Sequence, residues 1–221
     1  ILSCMVVSAF LAVTSLSLSA FAAKNSVHFV SSMPKNNEKI AAAPLNVAIN
    51  FNFDVIEGSS ISIKKGKKEY GIGETTIDGD NLVMRRMMDP KAPDGTYTVK
   101  YKACWPGGSC HDGNFKFKIS KKLAKNFISM TGKSEVEVNL KDFKFSPGQL
   151  KISKGTTVKF TNQDGFGHTV TTSPHPDHYF FRAMNSEILN QGNTYSVTFD
   201  KPGLYFYHCH PHASSMMGSI L

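Results

Sequence analysis

Little in this sequence reads as an amphipathic helix, and it has no internal repeat, low-complexity tract or acidic tail. The first absence excludes a helical bundle as the organising architecture. No nucleic-acid motif is present, so the formal charge of +8 belongs to a solvated basic surface or to steering towards an acidic partner. Neither a catalytic triad nor paired carboxylates can be found, which removes the usual grounds for a hydrolytic enzyme. Charge itself is missing from residues 1–23. That apolar, Ser- and Ala-rich run closes with Ala20-Phe21-Ala22 and reads as a secretory signal peptide, 1–23, with a small-residue cleavage site. The run is barely long enough to span a bilayer. With its removal no stable membrane anchor remains, and the protein is expected to be periplasmic or secreted.

What remains is rich in glycine, aromatic and β-branched residues, and its 221 residues allow one or two domains. Leu45 to Phe51 alternates with period two, as a half-buried strand does. Asn81 to Met84, Thr96 to Tyr101, and Phe115, Phe117 and Ile119 continue the pattern. A polar, basic stretch, 121–133, separates these from a second set of alternating segments around Val136 and Val138, Val158 and Phe160, and Tyr195, Val197 and Phe199. The reading is all-β: a sandwich over 24–120, a linker over 121–133 and a second sandwich over 134–221.

Export implies an oxidising compartment, and Cys104, Cys110 and Cys209 lie beyond the signal. Cys104 and Cys110 flank Pro106, Gly107 and Gly108, so a disulfide is expected there. Cys209 is then left over, inside His208-Cys209-His210-Pro211-His212 and just before Met216, Met217 and Gly218. Six of the eight histidines lie between His168 and His212. The C-x-x-H spacing on a loop leaving a strand lets a thiolate and an imidazole converge on one ion, and a sandwich can bring His168 beside them. Two imidazoles, one thiolate and a weak thioether suit copper, whereas structural zinc sites take more thiolates and have no use for the thioether. One type 1 copper ion is therefore expected on His168, Cys209, His212 and a methionine, Met216 or Met217.

The second half resembles the plastocyanin/azurin-type cupredoxins. The resemblance is carried by Phe145-Ser146-Pro147, Val158-Lys159-Phe160-Thr161-Asn162, His168-Thr169-Val170-Thr171, the run from Gly203 through Tyr205, Tyr207 and Cys209 to His212, and the ending Met216-x-Gly218-x-Ile220. It implies a Greek-key sandwich, His168, Cys209 and His212 as equatorial copper ligands, and a one-electron carrier with a redox partner protein. The register of Gly218 and Ile220 favours Met216; the longer loop spacing of plastocyanins would select Met217. His208-Cys209-His210 also resembles the His-Cys-His motif of multicopper oxidases. That family needs further His-x-His pairs, which this chain lacks elsewhere, so His208 and His210 are read as loop or surface residues. His175-Pro176-Asp177-His178 is a proline-stiffened loop that could serve as a lid or an auxiliary metal site.

The first half resembles the CopC-like copper-resistance domain through Val30-Ser31-Ser32-Met33-Pro34, Ala43-Pro44, Gly95-Thr96-Tyr97-Thr98-Val99, and His111 with Gly113, Phe115 and Phe117. An immunoglobulin-like sandwich and a role in copper binding or delivery, with a copper-handling partner, are what that resemblance implies. His28 lies inside the expected mature terminus, and Cys110 stands where the family has Asp, so the family's Cu(II) site does not carry over; His111 is the one candidate ligand there. Met84, Met87 and Met88 read as core-filling thioethers rather than Cu(I) ligands.

Overall fold

The computed structural model describes residues 28–221, so the expected signal segment lies outside the described residues. Two β-sandwiches follow one another along the chain. In the first, a sheet of Phe29–Met33, Asn46–Phe51, Val83–Met88 and Gly71–Ile77 faces a sheet of Lys39–Ile40, Cys110–Ile119, Gly95–Cys104, Ser60–Lys65 and Lys68–Glu69. In the second, Lys144–Ser146, Glu135–Lys141, Thr156–Asn162 and Thr194–Phe199 face Ile128–Ser129, Gln149–Lys151, Met217–Ile220, Tyr205–His208 and Thr171–Thr172. Among the described residues no helix is long and apolar enough to cross a membrane.

Alternation explains the cores. Along Glu135–Lys141, Val136, Val138 and Leu140 are buried while Glu135, Glu137 and Lys141 are exposed. Tyr97, Val99 and Tyr101 do the same along Gly95–Cys104 and meet Phe115 and Phe117. Each such side chain contributes about 1.5–3 kcal/mol when fully buried. Cys104 and Cys110 are directly paired across the last two strands of the first sandwich and form the expected disulfide. Of the three methionines read as core fillers, Met84 and Met88 are buried, while Met87 is exposed.

Asn46–Phe51 departs from the half-buried expectation, because every residue in it is buried. Val47, Ile49 and Phe51 point into the first core, whereas Ala48 belongs to the core of the second sandwich. The second sandwich therefore covers the outer face of this strand. Asn46 and Asn50, flanking Ala48 on that face, donate to the Phe180 carbonyl at 3.2 Å and to the Asp177 carboxylate at 3.0 Å. Backbone bonds join the two units at Leu45 N–H to the Leu204 carbonyl, 3.2 Å, and Leu204 N–H to the Ala43 carbonyl, 2.8 Å. Gly203 has φ +153°, and a Cβ there would lie 2.7 Å from the Leu45 Cα, so this approach requires glycine.

The stretch expected as a linker has regular structure. Lys121–Asn126 forms a 3-10 helix, and Ile128–Ser129 pairs in parallel with Gln149–Lys151. Its lack of periodicity reflects its shortness: two residues suffice to extend a sheet edge.

Candidate metal centre

Tyr205–His208 and Met217–Ile220 form an antiparallel pair, and the residues joining them carry Cys209, His212 and Met216. His210–His212 make a 3-10 turn that folds the loop back, closed by Met216 N–H on the His212 carbonyl and Cys209 N–H on the Met216 carbonyl, each 2.9 Å. Across the sandwich, His168 is bridged to Leu189. The His168 Nδ1 lies 3.6 Å from the Cys209 Sγ, and the His212 Nδ1 lies 3.4 Å from it. A metal with bonds of about 2.0 Å to nitrogen and about 2.3 Å to sulfur separates such donors by about 3.5 Å. The donor set thus fits one thiophilic ion. His168 and Cys209 are fully buried, Met216 is 1% exposed in the same core, and Met217 is 63% exposed. Gly218 lets the Tyr207 ring lie against the neighbouring strand, since a Cβ there would come within 2.2 Å of it.

The surroundings hold these donors in place. His168 Nε2–H donates to Asp164 at 2.8 Å, which leaves Nδ1 as the unprotonated nitrogen facing Cys209. Asp164 also accepts the backbone N–H of Asp142 at 2.8 Å and of Phe143 at 3.1 Å. Burial pushes the Asp164 carboxyl up, but these two amides and His168 outweigh it and hold it below its ordinary value. Thr169 N–H donates to the Cys209 sulfur at 3.4 Å. Phe143 sets its ring edge-on to both His168 and His212, and Phe166, 64% exposed, lies against Phe143. Asp164 carries no motif of its own; only its position four residues before His168 could have pointed to it.

Residues 132–221 match the copper binding proteins of the plastocyanin/azurin family, and residues 29–120 match the CopC domain. Plastocyanin of Solanum crispum is 34% identical over 83 residues, covering 34% of this chain and 84% of the plastocyanin. The chain belongs to the plastocyanin/azurin family. Halocyanin of Natronomonas pharaonis is 33% identical over 97 residues, 41% of this chain, and the chain spans 58% of that relative's length. The crystal structure of CopC from Methylosinus trichosporium OB3b, 23% identical, is covered to 94% by 43% of this chain with a TM-score of 0.38. The cofactor of this cupredoxin is copper, and the thiolate–imidazole set around Cys209 is of the chemistry that takes it.

A second cluster lies beside the first in the cupredoxin half. His175, His178, His208 and His210 bring one ring nitrogen each within 4.8 Å of one another. The reading of His208 as a surface residue is corrected: it ends a strand and is only 3% exposed, because the loop carrying His175 and His178 covers it. His210 is exposed, as expected, and its Nδ1 lies 3.1 Å from the His178 Nε2. Burial, and then the neighbouring imidazoles, push His178 and His208 each down to about 4.

In the CopC-like half, His28 and His111 pack against Trp105 at 5.3 Å and 6.2 Å between ring centroids. Among the described residues neither joins a group of three or more metal-ligating side chains.

Proposed function

We propose that this chain is an exported one-electron carrier holding a single type 1 copper through His168, Cys209, His212 and Met216. The proposed organisation is a signal peptide over 1–23, a CopC-like sandwich over 24–120, a connecting segment over 121–133 and a cupredoxin over 134–221. The observation that carries this reading is the approach of two imidazole Nδ1 atoms to the buried Cys209 sulfur at 3.4 and 3.6 Å. Copper bound there supplies one-electron redox chemistry between Cu(I) and Cu(II). His168 and Cys209 are fixed by burial, and Asp164 keeps the His168 ring in one tautomer. Burial of Met216 in the core that also holds Cys209, with Met217 exposed, supports Met216 as the axial thioether. His212 is partly exposed beside Phe143, against which the exposed Phe166 packs, so an electron would leave through this apolar patch. The positive charge of the chain suits an acidic redox partner.

The test is copper titration of the purified protein with visible absorption, EPR and voltammetry. An intense thiolate-to-copper band lost in Cys209→Ser, with a reversible one-electron wave, is the expected result. A colourless copper protein would overturn the site, and an irreversible wave would overturn the carrier role.

A second reading, periplasmic copper binding, delivery or resistance, is favoured by the CopC domain match over 29–120. It predicts copper that passes readily to a competing chelator, whereas a carrier retains its ion through many redox cycles.

A further inference from the structure

We infer that His175, His178, His208 and His210 form a second copper site, separate from the thiolate centre and set against the opposite face of the same His208-Cys209-His210 segment. Extended backbone turns successive side chains to opposite sides. Cys209 points into the core towards His168 and His212, so its neighbours His208 and His210 face the other way. There they meet His175 and His178 from a different loop, with ring centroids 4.8 to 5.6 Å apart.

A tetrahedral ion with bonds of about 2.0 Å holds its nitrogen donors about 3.3 Å apart. The His178–His210 pair, at 3.1 Å, already has that spacing, and all four donors lie within 4.8 Å. His175 and His210 are exposed. His208 supplies an independent observation: its Nε2 is buried with no hydrogen-bond partner among the described residues, although the ring is only 3% exposed. A buried imidazole nitrogen left without a partner is costly, and a metal bond would satisfy it. A cavity of about 610 Å³, lined by His175, His208, Met33, Glu38 and Met217, opens the site to solvent between the two sandwiches.

Four imidazoles and no thiolate suit copper, zinc or nickel, and among divalent ions of this kind Cu(II) is held most tightly. The loop bearing His175 and His178 is anchored by the first sandwich: Asn50 to Asp177, Ser31 to Tyr179 at 3.0 Å, and Asn46 and Arg85 to the Phe180 carbonyl. This gives the CopC-like half a place in the metal chemistry without ligands of its own. The inference goes beyond the carrier reading and does not depend on it.

The experiment is equilibrium dialysis of the purified full chain against Cu(II), with metal content and EPR measured on wild type, His175→Ala/His178→Ala and Cys209→Ser. Two copper ions per chain are expected for wild type, the second giving a nitrogen-only EPR signal. The double variant should fall to one ion and keep the visible thiolate band, which also reports that it is folded. Cys209→Ser should lose the band and keep the nitrogen-only signal. One copper per wild-type chain with the visible band and no nitrogen-only signal, or two in the double variant, would overturn the second site. A wild type with the nitrogen-only signal and no visible band would instead reject the thiolate centre alone.

Discussion

Asp164 and His168 are joined by a 2.8 Å hydrogen bond on the side of the ring facing away from Cys209. The carboxylate chooses the tautomer, because it can only accept, and so it leaves the Nδ1 lone pair for a metal. The same carboxylate ties down the turn that carries Phe143.

Asp164→Ala should therefore weaken copper retention by about 10- to 100-fold and broaden the visible band, with Asp164→Glu recovering part of the loss. Competition against a chelator of known affinity reads the first effect. Equal affinity in wild type and Asp164→Ala would show that the carboxylate has no part in orienting His168.

Met216 and Met217 are adjacent, yet one is sealed in the core and the other is 63% exposed. If Met216 is the proposed thioether ligand, Met216→Leu should shift the copper bands and raise the reduction potential, because that thioether is replaced by hydrocarbon. Met217→Leu should leave both unchanged. Spectra and voltammetry of the two variants decide the matter, and a change confined to Met217→Leu would reverse the assignment.

How far the sequence could be read follows from the range of each interaction. The grouping of Cys209 with His212 is local, and strand alternation around Val136, Val138 and Phe160 is a two-residue pattern, so both were legible. The approach of His168 to Cys209 spans 41 residues and was reached through motif resemblance rather than periodicity. Asn46 and Asn50 look like ordinary outward residues of a half-buried strand. Their partners, Phe180 and Asp177, lie 134 and 127 residues away, and nothing local encodes that contact. The burial of His208 was hidden for the same reason. It depends on a loop whose position is set by the other sandwich.

Gly218 and Gly113 occupy equivalent roles in the two halves, each beneath a cross-strand tyrosine, Tyr207 and Tyr101. A Cβ at Gly218 would fall 2.2 Å from the Tyr207 ring, which is 1% exposed and hemmed in by Phe145 and Phe160. Gly218→Ala should cost about 1–3 kcal/mol through overpacking and perturb the copper spectrum, since the displaced strand begins next to Met216. Gly113→Ala should cost a similar amount while leaving the spectrum alone. Chemical denaturation with absorption recorded in parallel separates the two; a spectral change in Gly113→Ala would refute this division.

Glu69 supplies the acid-sensitive element of the first sandwich. Burial alone would raise its carboxyl, but donors from Ser62 at 2.7 Å, Ile63 N–H at 2.7 Å and Gly71 N–H at 2.9 Å, with Arg86 at 3.4 Å, outweigh it and hold the group below 4.5. A carboxyl depressed in the folded state stabilises the fold fully above its unfolded value, and that stabilisation is lost as pH falls through the folded value. The side chain is 33% exposed, so solvent screening keeps the effect to about 1 kcal/mol. Glu69→Gln should be less stable than wild type at about pH 7, and the gap should close as pH is lowered to about 2. Denaturation midpoints across that range test it. A gap that stays constant from neutral to acid pH would mean that the ionised carboxylate is not what these donors stabilise.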